Sequence, residues 1–248
     1  MQNQTALVTG GMGGIGTVIA RYLADEGARV AVTYNKKGNH ELARQWQAEQ
    51  KAQGYNFAIF YVDLTDFAVV SKMVEEVTAY LGRIDILVNN AGITADTTLL
   101  KMAPDQWHDV INNNLNSLFN VTHNVLKEMI KNQYGRIINI SSINGQKGQF
   151  GQTNYCASKA GIHGFTKALA YEVAKKGITV NTISPGYVKT PMVDKVDPTI
   201  LEGIIKQIPV GRLAEPQEIA RAGTFLVSRQ SSYIPGSNFS INGGQYMQ

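Results

Sequence analysis

Seven short runs rich in β-branched and apolar residues recur along the chain, each separated from the next by enough residues for a helix. They span residues 5–9, 29–34, 56–63, 84–89, 136–142, 179–184 and 237–241. Most are near-continuous apolar runs rather than alternating ones, the pattern of parallel strands covered on both faces. Helical stretches fall near residues 15–26, 40–53, 67–81, 104–132, 154–176 and 215–228. Gly27, Gly54, Gly82, Gly135 and Gly177 stand where helices should stop, because glycine accepts the left-handed conformation of a C-terminal cap. Pro104-Asp105 and Glu215-Pro216 mark helix starts. Strand and helix alternating in this way predict an α/β fold, a doubly wound parallel sheet of about seven strands with helices on both faces. No linker, repeat or low-complexity stretch interrupts the 248 residues, so they read as one domain. Residues 187–214, with Pro191, Pro198 and Pro209, read as an irregular insertion on the substrate side.

Composition excludes several classes. The one cysteine, Cys156, permits no intrachain disulfide and suits a reducing compartment. The net charge of +4 comes from scattered residues rather than a basic stripe, which argues against nucleic acid but leaves room for a small anionic ligand. The chain opens without a signal-peptide pattern, and its apolar runs fall short of the roughly 20 residues of a membrane span, so a cytoplasmic protein with no membrane partner is expected. His40, His108, His123 and His163 lack metal-ligand spacing and carboxylate company, so no catalytic metal is expected.

The first strand runs into Thr9-Gly10-Gly11-Met12-Gly13-Gly14-Ile15-Gly16, and a helix follows. Glycines at such a turn allow positive φ and let the backbone approach a pyrophosphate. The helix N-terminus then offers free N–H groups and the positive end of its dipole. With the strand before and the helix after, this predicts a Rossmann-type dinucleotide site using Gly10, Met12, Gly14, Ile15 and Gly16.

Carbonyl reduction needs a hydride donor, a proton donor and a group polarising the carbonyl. Tyr155-Cys156-Ala157-Ser158-Lys159 places a tyrosine and a lysine four residues apart, on one face of a helix. An ammonium beside a phenol is expected to lower the phenol's pKa from its usual value of about 10.

The spacing of Gly10, Gly14 and Gly16, the segment Asn89-Asn90-Ala91-Gly92 and the pair Tyr155 and Lys159 together resemble the short-chain dehydrogenase/reductase family. The matches run in order over nearly the whole chain. The resemblance implies that Ser142 binds the substrate carbonyl, Tyr155 transfers the proton and Lys159 also holds the nicotinamide ribose. It implies a proton relay completed by an asparagine, for which Asn114 is the aligned position and Asn112 and Asn113 are alternatives. It places Asn90, Ala91 and Gly92 beside the cofactor, Asp63 and Leu64 at the adenine, and Pro185, Gly186, Val188 and Thr190 at the nicotinamide carboxamide. Tyr171 and Lys175 repeat the tyrosine–lysine spacing, with Ser158 thirteen residues upstream as Ser142 is of Tyr155. Ser158 and Tyr171, however, share one predicted helix and lie about 20 Å apart along its axis, so they cannot meet at one carbonyl. Tyr155 is therefore the expected proton donor.

The second strand ends in Asn35-Lys36-Lys37 without an acid. A carboxylate there would bind a ribose diol, whereas lysines attract a 2′-phosphate, so NADPH is the expected cofactor. Within the family, the segment 144–155, with Gly92-Ile93-Thr94-Ala95-Asp96 and Pro185-Gly186-Tyr187, resembles the acetoacetyl-CoA reductase branch that serves polyhydroxyalkanoate synthesis. That resemblance implies an acyl-CoA thioester substrate, with Asp96, Gln149, Phe150, Gln152 and Tyr187 shaping the acyl pocket. It also implies a homotetramer, paired through helices 104–132 and 154–176 and through the region Asn242-Gly243-Gly244. A 3-oxoacyl-[acyl-carrier-protein] reductase remains the alternative of the same chemistry. A non-catalytic dinucleotide-binding sensor is the alternative of another class, and intact Ser142, Tyr155 and Lys159 speak against it.

Overall fold

The computed structural model describes residues 1–35, 38–191, 193 and 197–247. Its seven strands form one parallel sheet. They are β1 (Thr5–Val8), β2 (Arg29–Tyr34), β3 (Ala58–Tyr61), β4 (Ile86–Asn89), β5 (Gly135–Ile140), β6 (Ile178–Pro185) and β7 (Asn238–Ile241). The helices between them are α1 (Gly14–Asp25), α2 (His40–Ala52), α3 (Phe67–Leu81), α4 (Pro104–Ile111), α5 (Ser117–Lys131), α6 (Asn144–Lys147), α7 (Thr153–Val173), α8 (Pro198–Lys206) and α9 (Pro216–Val227). The strand order is β3-β2-β1-β4-β5-β6-β7, so chain direction across the sheet reverses between β1 and β4. Ligands of doubly wound sheets bind at such a switch point, outside the carboxyl ends of the strands.

The near-continuous apolar runs exist because neighbouring residues of one strand serve opposite faces. Ala6, Val8, Ile86, Val88 and Ile138 pack against Ile19 and Leu23 of α1 and Ile219 and Leu226 of α9. Their neighbours Leu7, Leu87 and Ile137 pack instead with Val70 of α3, Val121 of α5 and Leu169 of α7. Each fully buried aliphatic side chain contributes about 1.5–3 kcal/mol, so both faces hold the sheet in register.

Three expectations need correction. The helix expected over 104–132 is two α-helices joined by a π-helical turn, Asn112–Asn116. The insertion 187–214 contains a regular helix, α8, started by Asp197, whose Oδ1 accepts from the N–H groups of Thr199 and Ile200. Gly135 is not a helix cap but the first residue of β5, and the positive φ at that turn, 51°, belongs to Gln133. A Cβ at 135 would lie 2.5 Å from Met129 Sδ, so any larger residue there would have to displace that side chain.

Candidate active site

The carboxyl ends of β1, β4, β5 and β6 meet the glycine-rich turn, and hydrogen bonds lock the parts together. Thr9 Oγ1 accepts from the backbone N–H groups of Asn90 and Ala91, at 3.0 and 3.2 Å. Asn90 Nδ2 donates to the carbonyls of Thr9 and Gly10. Gly10 takes a φ of +59°. A Cβ on Gly16 would lie 2.6 Å from the Gly10 carbonyl oxygen, and one on Gly14 would lie 2.7 Å from Thr190 Cγ2. The turn therefore packs against backbone on one side and the loop after β6 on the other. Met12 is buried beneath it, while Ile15 and Thr190 are half-buried at its edge. Helix α1 begins with no side chain capping its N–H groups and no acidic residue in its first turn. Free N–H donors beside glycines that admit no side chain fit a pyrophosphate.

The outer residues of this cleft are more open. Asn35 is exposed, and its carbonyl accepts from Gly38 N–H. Lys36 and Lys37 lie outside the described residues. Asp63 Oδ1 accepts from the N–H and Oγ1 of Thr65, and Leu64 is buried beside it. Pro185 closes β6, Gly186 N–H donates to the Ile241 carbonyl at the end of β7, and Val188 is buried.

The tyrosine and lysine stand on α7, one turn apart, facing the end of β5. Lys159 is buried, its Nζ donates to the Ile140 carbonyl at 2.8 Å, and it lies 5.6 Å from the centroid of the Tyr155 ring. Ser142 stands beside Tyr155, and its Oγ accepts from Asn144 N–H at 3.1 Å. Burial pushes Tyr155 up to about 12, and the neighbouring Ser142 hydroxyl only partly offsets it. Burial alone lowers Lys159 to about 8. The expectation that the lysine charge governs the tyrosine is thus corrected. Spacing brings the groups together, but their shared desolvation favours the neutral form of each.

Among the three consecutive asparagines, only Asn114 points inward. Its Oδ1 accepts from Ile93 N–H, and its Nδ2 donates to the Ile93 carbonyl and to Ser158 Oγ. Asn112 and Asn113 bond within their own helix, at its surface. A Cβ on Gly92 would fall 3.1 Å from Asn114 Oδ1 and 3.5 Å from Lys159 Nζ, which places all three around one point. Tyr171 lies on the outer face of α7, 93% exposed, remote from this cluster.

Three polar residues that sequence reasoning did not assign hold the site. Ser158 joins Asn114 to the Tyr155 carbonyl. Asn154 ties α7 to the carbonyls of Ala95 and Gln106 while accepting from Tyr155 N–H. Asn144 donates to Gln152 Oε1, whose Nε2 donates to Asp96 Oδ2 at 2.6 Å. The adjacency of Asn154 to Tyr155 was the only signal available in the sequence. Asp96 and Gln152 are thereby joined, and Tyr187 stands against Asn144, with burial and then the Asp96 charge raising its pKa. Gln149 accepts from Lys147, and Phe150 is 87% exposed at the rim.

Residues 10–245 match the family model described as enoyl-(acyl carrier protein) reductase, one of the short-chain dehydrogenase/reductase models. The chain is 51% identical over 242 residues to an acetoacetyl-CoA reductase of Allochromatium vinosum, covering 98% of each. It is 48% identical over 247 residues to one of Cupriavidus necator, covering 100% of each. The chain belongs to the short-chain dehydrogenase/reductase family. It is 45% identical over 242 residues, 98% of this chain and 97% of the relative, to a 3-oxoacyl-[acyl-carrier-protein] reductase of Chlamydia trachomatis. As a short-chain dehydrogenase/reductase the chain is an oxidoreductase, and its Rossmann-type sheet is the fold expected from the strand pattern. Among the described residues no helix is long and apolar enough to cross a membrane.

Proposed function

We propose that this chain reduces acetoacetyl-CoA to (R)-3-hydroxybutyryl-CoA with NADPH, and that Tyr155 donates the proton. The reading rests on the convergence of Ser142, Tyr155, Lys159 and Asn114 at the switch point, in a chain about half identical to acetoacetyl-CoA reductases over its length. A bound nicotinamide dinucleotide supplies the hydride. The α1 N-terminus with Gly10, Gly14 and Gly16 holds its pyrophosphate, Lys36 and Lys37 its 2′-phosphate, and the loop from Pro185 to Thr190 its carboxamide end.

Ser142 Oγ donates to the substrate carbonyl and polarises it. Tyr155 is fully protonated at neutral pH, so its hydroxyl is ready to give a proton to the forming alkoxide. The Lys159 ammonium stabilises the phenolate left behind, an attraction that matters only once that charge exists. Asn114, fixed by the backbone N–H and carbonyl of Ile93, completes the relay as a positioning residue: a water carries the returning proton to Lys159. Asp96, Gln152 and Tyr187 form the polar wall against a short β-ketoacyl group, with Gln149 and Phe150 at its mouth. In this proposal residues 1–248 act as one cytoplasmic domain and assemble as a homotetramer, which solution mass measurement checks.

The test is nicotinamide absorbance during turnover of acetoacetyl-CoA and of acetoacetyl-carrier protein, each with NADPH and NADH. Faster turnover of the CoA thioester with NADPH is expected. Preference for the carrier protein would replace the substrate assignment with 3-oxoacyl-[acyl-carrier-protein] reduction, the reading favoured by the Chlamydia trachomatis relative.

A further inference from the structure

The other pole of the sheet, where the strands begin, holds a second concavity. A cavity of about 300 Å³ is lined by Arg83, Asp85, Asn132, Gln133, Tyr134 and Arg229. These residues come from the loop before β4, the loop before β5 and the segment after α9. The six residues of β5 separate it from the catalytic pole, about 20 Å at the rise of a strand. It is therefore no part of the dinucleotide cleft.

Its charges do not balance. Asp85 is buried, and its carboxylate is already committed to the N–H and Oγ1 of Thr5 and to Arg83 Nε. That ion pair, at 2.9 Å, neutralises Arg83 alone. The ring of Tyr134 is flanked by two further guanidiniums, Arg136 at 4.5 Å and Arg229 at 4.7 Å from its centroid. Among the described residues neither has a carboxylate within ion-pair distance. Arg136 is 3% exposed and donates only to the carbonyls of Ser228, Gly135 and Gly177. Burial lowers its pKa, the tyrosine opposes that, and the charge of Arg229 lowers it further. A buried cation without a counter-charge is costly, and a second cation across one ring adds repulsion.

We propose that this cavity binds a small multivalent oxyanion, phosphate- or carboxylate-bearing, gripped by Arg229 at the cavity wall with Arg136 behind the Tyr134 ring. Arg229 presents the planar fork that matches such oxygens in pairs. Asn132 and Gln133 line the same space and carry amides able to act as neutral donors. An anion seated there bridges the segments before β4 and β5 and the one after α9, and because the cavity exists only in the folded chain its binding stabilises that state.

The experiment is thermal unfolding of the full chain with inorganic phosphate or citrate, at ionic strength held constant with sodium chloride. The wild type is compared with Arg229→Gln, a change at an exposed residue that leaves the fold intact. The glycine-rich turn at α1 also attracts phosphate but is the same in both proteins, so only the difference between them reports on this cavity. At tenfold the dissociation constant the wild type should gain roughly 3–6 °C. Arg229→Gln should gain clearly less, and the anion with the larger difference identifies the head group. An equal gain in both proteins, no gain with either anion, or a gain reproduced by chloride alone overturns the proposal.

Discussion

Replacing Lys159 by methionine should remove activity and yet, at neutral pH, make the nucleotide-free protein more stable. The lysine is buried and its pKa is lowered from 10.5 to about 8 by that burial. Below pH 8 the amine is protonated in both folded and unfolded chains, so the folded state bears the whole cost of the buried charge. Between 8 and 10.5 the unfolded chain holds more protons than the folded one, so wild-type stability rises with pH through that window. Above 10.5 both states are neutral and the cost is gone. At about 1.4 kcal/mol for each pH unit, the cost at pH 7 is about 3 kcal/mol. Methionine fills a similar volume without a charge, but it leaves the Ile140 carbonyl without the Nζ donor, a loss of about 1 kcal/mol. The net expectation at pH 7 is about 2 kcal/mol in favour of Lys159→Met, or roughly 4–8 °C in Tm for a chain of this size. At pH 10 most of that advantage should have vanished. Urea unfolding of both proteins at the two pH values, followed by circular dichroism, measures the difference. A gap that does not change with pH, or a variant less stable at pH 7, would refute the desolvation argument.

Three further outcomes test the site, and a fourth tests the cofactor. Tyr155→Phe should cut turnover by about two to four orders of magnitude with the melting curve little changed. Tyr171→Phe should leave turnover alone, because that ring is 93% exposed on the far side of α7; a large loss there would transfer the chemistry to the wrong tyrosine. Gly16→Ala puts a methyl group 2.6 Å from the Gly10 carbonyl oxygen, and NADPH affinity measured by fluorescence should fall roughly tenfold or more; an unchanged affinity would remove the turn from the phosphate site. Lys36→Ala with Lys37→Ala should raise KM for NADPH more than for NADH, and equal effects would exclude a 2′-phosphate contact.

The strand pattern was legible because parallel strands are covered twice, so each run such as 29–34 shows its apolar character without interruption. Gly27, Gly54, Gly82 and Gly177 were legible as helix stops because each takes a positive φ. Gly135 misled for a different reason: the constraint there is the Met129 side chain pressed against it, which no local pattern records. Helix α8 had its signal in Asp197-Pro198, a capping side chain followed by a residue preset for the first turn, but neighbouring prolines suggested irregular chain. At the site, the family resemblance supplied the candidates, and strand ends and helix length decided that Tyr155 rather than Tyr171 could meet a serine thirteen residues upstream. The chain Asn144–Gln152–Asp96 was invisible, since its last link joins residues 56 apart in sequence. The titration of Tyr155 and Lys159 was misjudged because sequence reports proximity and not the water excluded around both.

The π-helical turn at Asn112–Asn116 bears on how this segment tolerates insertion and deletion. A π-helical turn accommodates one residue more than the helix around it. Removing one asparagine from the run of three would let α4 and α5 fuse into a single regular helix, which ordinary helix propensity would favour. Because the wider turn absorbs that extra residue, its removal would leave the faces that α4 and α5 present to the core nearly where they are, whereas the same deletion in a regular helix would turn one side against the other by about 100°. Val121 and Val125 could then keep their places in the core, and only the position that faces Ile93 within the turn would be redrawn. Substitutions at Asn112 or Asn113 should thus be mild, and a single-residue deletion in the run should leave the fold standing while costing activity through the contacts of Asn114 with Ile93 and Ser158.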